Sequence, residues 1–211
     1  MLRPLFIALF CFWSSLALAQ ADALQVLQTR LADKATSLRQ ASSIATPAHV
    51  LALQKQLGLE ELVVVVRKHS AAGAGATVEN VLILDSRMLS QSPTVIAFIL
   101  AHEYAHWNAR HLHARLEEVV RIATEEGDDP VEAIEELGLS LLDESFLHAQ
   151  EFEADLFAKF LLTIHGLWDE REVRKFLVNW VNDDATHSHP SLDDRLAAMQ
   201  MKPLSFRGAW K

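Results

Sequence analysis

The segment His102-Glu103-Tyr104-Ala105-His106 has the residue types and spacing of a zinc-binding hydrolytic site. Residues four apart lie on one face of an α-helix, about 6 Å apart along its axis, so both imidazoles can bind one tetrahedral Zn²⁺. Glu103 lies about 100° around the axis from His102, beside the metal, where its carboxylate can take a proton from the attacking water. The motif therefore predicts two metal ligands, His102 and His106, and a catalytic base, Glu103.

The residues around the motif indicate a buried helix, expected from Pro93 to about Ala114. The run 95–100 is almost wholly apolar. The alternative, a histidine pair on a surface helix, fits poorly with this apolar beginning. His111 and His113 are expected to be solvent-facing or hydrogen-bonded residues at the helix end. His113 would lie about 10 Å along the axis from His106, too far to share its metal.

A third ligand is needed to complete a zinc site. The long metzincin motif is excluded because Ala109 and Leu112 stand where it requires Gly and His. Glu151 and Asp155 are four apart on a second helical pattern, so Glu151 could bind the metal and Asp155 could accept the free ring N–H of a ligand histidine. Glu153 is expected to be solvated. From spacing alone, an ordinary acidic amphipathic helix is an equal alternative.

These motifs together resemble the HtpX-like and CAAX-prenyl-protease-like family of gluzincin zinc metallopeptidases. The chain has the family's L-A-H-E-x-x-H-x-x-x-R-H form over 100–111 and its E-x-x-A-D form over 151–155. Near the end, His189, Pro190 and Arg195 match its S/T-H-P-x-x-x-x-R segment. The resemblance covers roughly residues 60 to 200 and is strongest to small soluble periplasmic members. It implies a zincin-like domain that binds one Zn²⁺, with Glu151 as third ligand and Asp155 supporting a ligand histidine.

Two features depart from the family. Leu147 stands where many relatives have a polar residue, four positions before the glutamate ligand. The chain also lacks the several spanning helices of its integral-membrane relatives, which argues against processing of prenylated proteins.

Two roles remain open for His189. It could donate a hydrogen bond to the oxyanion, because Tyr104 faces about 200° away from His102 and cannot do so. Alternatively, His189 could be a fourth zinc ligand, which would make the protein a latent or chaperone-like zinc-binding protein. Arg195 is expected to pair with a carboxylate, either Asp155 or Glu153.

The N-terminus has the pattern of a secretory signal peptide over 1–19. A short basic start precedes an apolar run that ends in Ala17-Leu18-Ala19, so cleavage is expected after Ala19. An uncleaved anchor is the alternative. Cys11, the one cysteine, lies inside this run, so the mature chain would hold no disulfide. Export without disulfides suits a bacterial periplasm.

The net charge of −9 argues against nucleic acid and anionic membrane as main partners. A protein or peptide substrate is expected, such as a misfolded envelope protein. No integral membrane domain is expected in the mature chain. After the signal peptide, an N-terminal helical segment is expected over 20–58 and the metallopeptidase domain over 59–211.

The expected fold class is mainly α with a small β-sheet, α+β. Strands are predicted at Leu62–Val66 and Val81–Leu84, with a hairpin tip or loop at Ala71–Ala76. The strand Val81–Leu84 could pair with a substrate backbone, or it could lie inside the sheet without a free edge. A helix is expected over 21–39, which could cover the core, the favoured role, or present a surface to a partner. Further helices are expected over 47–57, 131–142, 144–164, 170–181 and 191–201, with a charged helical stretch from 114 to about 124.

Overall fold

A computed structural model of the protein describes residues 3–40, 44–68, 75–180 and 186–201. Over these residues the fold is mainly helical with one small three-stranded mixed sheet, so the α+β class is confirmed. The helices are α1 (Arg3–Gln40), α2 (Ala48–Leu57), α3 (Pro93–Asn108), α4 (His111–Glu126), α5 (Pro130–Glu136), α6 (Glu144–Ile164), α7 (Glu170–Trp180) and α8 (Leu192–Ala198); the strands are β1 (Val63–Arg67), β2 (Gly75–Val78) and β3 (Val81–Asp85).

The helix predicted over 21–39 forms the C-terminal part of α1, and its predicted packing role is confirmed. Ala23 and Leu27 are buried against Leu116 and Val120 of α4. Farther along α1, Leu38 packs on the sheet. The cleavage point expected after residue 19 lies within this helix. In the described parts of the chain, none of the helices combines the length and the apolar character that crossing a membrane requires.

The sheet has the order β1-β3-β2, with β1 parallel and β2 antiparallel to β3. Because β3 has a neighbour on each side, it cannot receive a substrate strand, and the interior alternative for Val81–Leu84 is correct. Strand β2 was missed: Gly75 and Ala76 belong to it rather than to the predicted loop, whereas residues 71–74 lie outside the described residues.

The helix predicted from Pro93 to Ala114 is too long, because the structure divides it in two. Helix α3 ends at Asn108, and Arg110 takes a left-handed conformation (φ 57°) before α4 begins. The chain has neither Gly nor Pro at this break, so the sequence gives no local indication of it. The break changes the direction of the chain shortly after the motif 102–106.

Helix α3 lies in the centre of the molecule, with seven consecutive buried residues over 95–101. It packs most extensively against α6 and also contacts α2, α7 and β2. The predicted bounds of α6 are confirmed, and Asp143 caps it by accepting a hydrogen bond from the backbone N–H of Ser145. The buried pair of α3 and α6 positions the candidate site.

Smaller differences lie outside this pair. The helix predicted over 131–142 is divided into α5 and a 3₁₀ turn, Gly138–Leu141, at Gly138, which has φ 54°. The last two helices lie where predicted, although α8 ends at Ala198 rather than Met201. Val181, the expected last residue of α7, lies outside the described residues.

Candidate metal centre

Helices α3 and α6 bring the three predicted metal ligands together in the protein interior. The Nε2 atoms of His102 and His106 lie 3.1 Å apart. The carboxylate of Glu151 lies 3.5 Å from the first, through Oε2, and 3.4 Å from the second, through Oε1. His102 and Glu151 are buried and His106 is partly buried. This group could hold a metal ion.

The spacing of these atoms fits zinc. Ligands bound to Zn²⁺ at about 2.0–2.1 Å in a tetrahedron lie about 3.3–3.4 Å from one another. The two nitrogens lie 3.1 Å apart, and the carboxylate lies 3.4–3.5 Å from each of them, through a different oxygen for each, so the group is compact enough for such a site. Two imidazole nitrogens and one carboxylate oxygen are also the donor set of known catalytic zinc sites, which leave a fourth position open.

A buried ion pair supports His102. Its Nδ1 lies 3.0 Å from Oδ1 of Asp155. Arg195, on α8, donates two hydrogen bonds to the same carboxylate, from Nε at 2.7 Å and from Nη2 at 2.6 Å. Asp155 is fully buried and Arg195 nearly so. The predicted contact of Asp155 with a ligand histidine is therefore present, and Arg195 pairs with Asp155 rather than with Glu153.

His106 is supported differently, and here the hydrogen-bonded alternative predicted for His111 is correct and the solvent-facing one is wrong. Because α4 starts in a new direction, His111 is buried and its Nδ1 lies 2.8 Å from Nδ1 of His106. Its Nε2 lies 3.3 Å from Oε2 of Glu153. Glu153 is solvated as predicted, with 65% of its side chain exposed. His111 thus belongs to the site.

Arg115, also on α4, is a site residue that the sequence did not indicate. It donates to Oε1 of Gln150 at 2.6 Å and to Oε1 of Glu151 at 3.3 Å. Its guanidinium places a positive charge beside the buried carboxylate of Glu151 and restrains its position. An arginine 36 positions before Glu151 gives no pattern that could be recognised without the fold.

Strand β2 positions the carboxylate of Glu103. Thr77 donates a hydrogen bond to Oε2 of Glu103 at 2.8 Å. A Cβ atom at Gly75 would lie 3.2 Å from Cγ and 3.3 Å from Oε1 of the same side chain. Any larger residue would therefore crowd Glu103, which is held at the sheet and lies outside the group of three ligands.

His189 lies near this group, within the electrostatic influence of Glu151 and His102. Its loop is fixed by two backbone–backbone hydrogen bonds between Thr186 and His189 and by two more through the Thr186 hydroxyl, and His148 donates to the carbonyl of Thr186 at 2.8 Å. Among the described residues, the set of ligand atoms within 4.8 Å of one another does not include His189.

Burial and the neighbouring groups act in opposite directions on the pKa values of the site, and the neighbouring groups prevail. Burial alone would lower the pKa of His102, but hydrogen bonds with Asp155 and Glu151 outweigh it and raise that pKa to about 10. Burial would raise the pKa of Glu151, yet His102 and His106 hold it well below its ordinary value. Burial opposes ionisation of Asp155 too, but the charge of Arg195 keeps its pKa low. Both carboxylates are therefore ionised and suited to cation binding.

Burial also acts on the two further histidines of the site. It lowers the pKa of His111, and the charge of His106 acts in the same direction against the opposing effect of Glu153. Partial desolvation is the main reason why the pKa of His189 is lowered, with Glu151 opposing, although His189 as a whole residue is exposed. Both imidazoles are therefore favoured as neutral groups near pH 7.

The remaining residues singled out in the sequence lie apart from the ligands. Tyr104 stacks on Phe157 and meets Trp107 edge to face, so it serves packing. His113 pairs with Glu79, with Nε2 3.4 Å from Oε1. Leu147 is fully buried in an apolar cluster.

Comparison with known proteins gives no match: no protein-family model, no curated protein and no solved structure matches the chain. The function of the site is therefore argued from its own geometry.

Proposed function

We propose that the protein is a zinc-dependent endopeptidase with a zincin-like domain, related to the HtpX-like metallopeptidases that its motifs resemble. The observation that carries the proposal is the close grouping of His102, His106 and Glu151, whose side-chain nitrogens and carboxylate lie 3.1–3.5 Å apart. Glu103 follows the first ligand directly and lies outside the ligand set, as a base must. A structural zinc site has four protein ligands and needs no such carboxylate.

Each residue of the site has its own role in the proposed hydrolysis of a peptide bond. A bound Zn²⁺ supplies a Lewis acid for the scissile carbonyl and lowers the pKa of water at its open position. Glu103, held by Thr77, takes the proton of the attacking water and then delivers it to the leaving amine. His189 donates a hydrogen bond to the oxygen on which negative charge develops. Asp155 and Arg195 keep the ring of His102 in place.

Strand β2 is proposed as the docking edge for a peptide substrate. It lies at the edge of the sheet, and no described strand pairs with its outer side. An extended peptide paired with this edge would lie beside Thr77 and Glu103. This arrangement replaces the excluded pairing with β3.

A second candidate is a latent zinc protein in which His189 closes the fourth position. The proximity of His189 to Glu151 and His102 favours this alternative. The lowered pKa of His189 suits either role, because a metal ligand must be neutral and a neutral imidazole also donates one hydrogen bond. We favour the donor role because His189 lies outside the ligand group.

The proposal extends to location and substrate only through the sequence. The signal peptide pattern over 1–19 supports export to a periplasm with cleavage after Ala19. Exported proteins, such as misfolded envelope proteins, are then the proposed substrates.

The test is peptide hydrolysis by the purified protein with its zinc content measured in the same samples. Glu103→Gln should keep zinc and reduce turnover about 10²–10⁴-fold, since it removes the base and spares the ligands. Glu126→Gln, an exposed change at the end of α4, is the matched control. Unchanged turnover in Glu103→Gln, prepared free of contaminating protease, would refute the proposed mechanism.

A further inference from the structure

His111 is a buried titratable residue that the proposed mechanism does not use, although it contacts a metal ligand. It is the first residue of α4 and only 5% exposed. One ring nitrogen lies 2.8 Å from Nδ1 of His106 and the other lies 3.3 Å from the carboxylate of Glu153. Both nitrogens of the His111 ring are thus engaged.

The direction of these hydrogen bonds follows from the metal. If His106 binds through Nε2, the lone pair of that nitrogen is used and its Nδ1 must carry the proton. Nδ1 of His106 then donates to Nδ1 of His111, which must accept and therefore holds no proton. The proton of neutral His111 is then on Nε2, which donates to Glu153. The three residues allow one consistent arrangement of protons.

The break between α3 and α4 makes this contact possible. In an unbroken helix, the residue five positions after His106 would lie about 140° around the axis and about 7.5 Å farther along it. The left-handed conformation of Arg110, which is unfavourable for a residue with a side chain, turns His111 back onto His106. His113, two residues later, pairs with Glu79 and is not hydrogen-bonded to a ligand.

We infer that His111 is a positioning residue: it fixes the tautomer and ring orientation of His106, and Glu153 fixes the tautomer of His111 in turn. The inference rests on the proposed metal site. It gives the second ligand histidine a support equivalent to the one that Asp155 gives the first.

The test measures zinc affinity of the full chain by competition with a chelator, a readout independent of peptide hydrolysis. His111→Leu removes the acceptor for His106, so zinc affinity should fall about 10–100-fold, as is typical of the loss of such a partner. His111→Asn places an amide oxygen near the position of Nδ1 and should recover most of this loss. His113→Leu is the matched control and should leave zinc affinity unchanged.

Two outcomes of this series would overturn the inference. One is an affinity of His111→Leu equal to that of wild type. The other is an equal loss in the Asn and Leu variants, which would indicate that His111 only fills space. A wild-type protein that binds no zinc would instead refute the proposed function together with this inference, so the two failures are distinguishable.

A measurement on the wild-type protein keeps the inference testable if His111→Leu does not fold. Nitrogen-15 NMR of the imidazole rings in the zinc-loaded protein reports which nitrogen carries the proton. We expect protonated Nδ1 on His106 and protonated Nε2 on His111. A proton on Nδ1 of His111 would overturn the inference, because that nitrogen could then no longer accept from His106.

Discussion

The two ligand histidines are supported by groups of opposite character. His102 contacts the carboxylate of Asp155, which is fully buried. That carboxylate is neutralised by Arg195, whose side chain is 8% exposed. His106 contacts a second imidazole, that of His111. His111 in turn contacts the carboxylate of Glu153, whose side chain is 65% exposed. One support ends inside the protein, and the other ends in solvent.

The difference indicates which of the two supports also contributes to the stability of the fold. Asp155 and Arg195 connect α6 to α8 through a desolvated ion pair, so losing Arg195 removes the main compensating charge of Asp155, and losing Asp155 leaves the buried charge of Arg195 uncompensated. Glu153 remains hydrated with or without His111, so its charge costs little. The support of His102 should therefore affect stability and metal binding together, whereas that of His106 should affect mainly metal binding.

The largest effect on metal binding is expected at Glu151. Glu151→Ala removes one of three ligands, so zinc should be lost on dialysis, as measured by metal analysis. Glu153→Ala, two residues away on the same helix, should retain zinc and weaken its binding by no more than the about 10–100-fold expected for a supporting group. Equal zinc affinity in the two variants would show that the third ligand has been misplaced.

The largest effect on stability is expected at Arg195. Arg195→Leu leaves Asp155 charged and buried, and should lower the free energy of unfolding by about 3–5 kcal/mol. Urea unfolding of the metal-free protein measures this without a contribution from zinc. Arg121→Leu, in a solvent-exposed pair with Glu118, should change the same quantity by at most about 1 kcal/mol. Similar values for the two variants would contradict the distinction between buried and exposed supports.

His189 lies near the ligands and belongs to neither support, and the sign of its effect distinguishes the two proposed roles. If His189 donates to the oxyanion, His189→Ala should reduce turnover about 10²–10³-fold and leave zinc affinity almost unchanged. As a fourth ligand, its loss should raise turnover and lower zinc affinity. Both are measured on one preparation. If activity and affinity both equal those of wild type, His189 has neither role and is a structural residue of its turn.

The most gradual effect is a pH dependence of the metal-free protein. The raised pKa of His102, about 10 against 6.5 for the free side chain, gives stability that is complete below pH 6.5 and is lost as the pH rises through 10. The lowered pKa values of Glu151 and Asp155 give stability that is lost on acidification below their ordinary values.

The unfolding midpoint of the metal-free protein in urea should therefore fall between pH 6.5 and pH 10. His102→Asn should remove most of this dependence. A wild-type midpoint that rises over the same range would contradict the protonated state of His102 and its pairing with Asp155.

Much of the fold was predictable where the sequence has local signals for the beginning or end of a helix. Helix α6 begins after its capping residue Asp143, and α2 ends at Gly58, whose positive φ favours glycine. The break at Arg110 has no such residue, and strand β2 lies in a stretch of small residues that resembles a loop. These two elements depend on contacts with distant parts of the chain, which local patterns do not contain.

The sequence by itself predicted that His102 and His106 share a face, because four-residue spacing on a helix fixes which side chains do so. It also determined that Asp155 shares a helical face with Glu151. Only the tertiary structure decided which groups surround these residues: Arg115 and His111 come from α4 and Thr77 comes from β2. Their positions depend on how helices and strands pack, and packing joins residues whose separation in the chain follows no repeat.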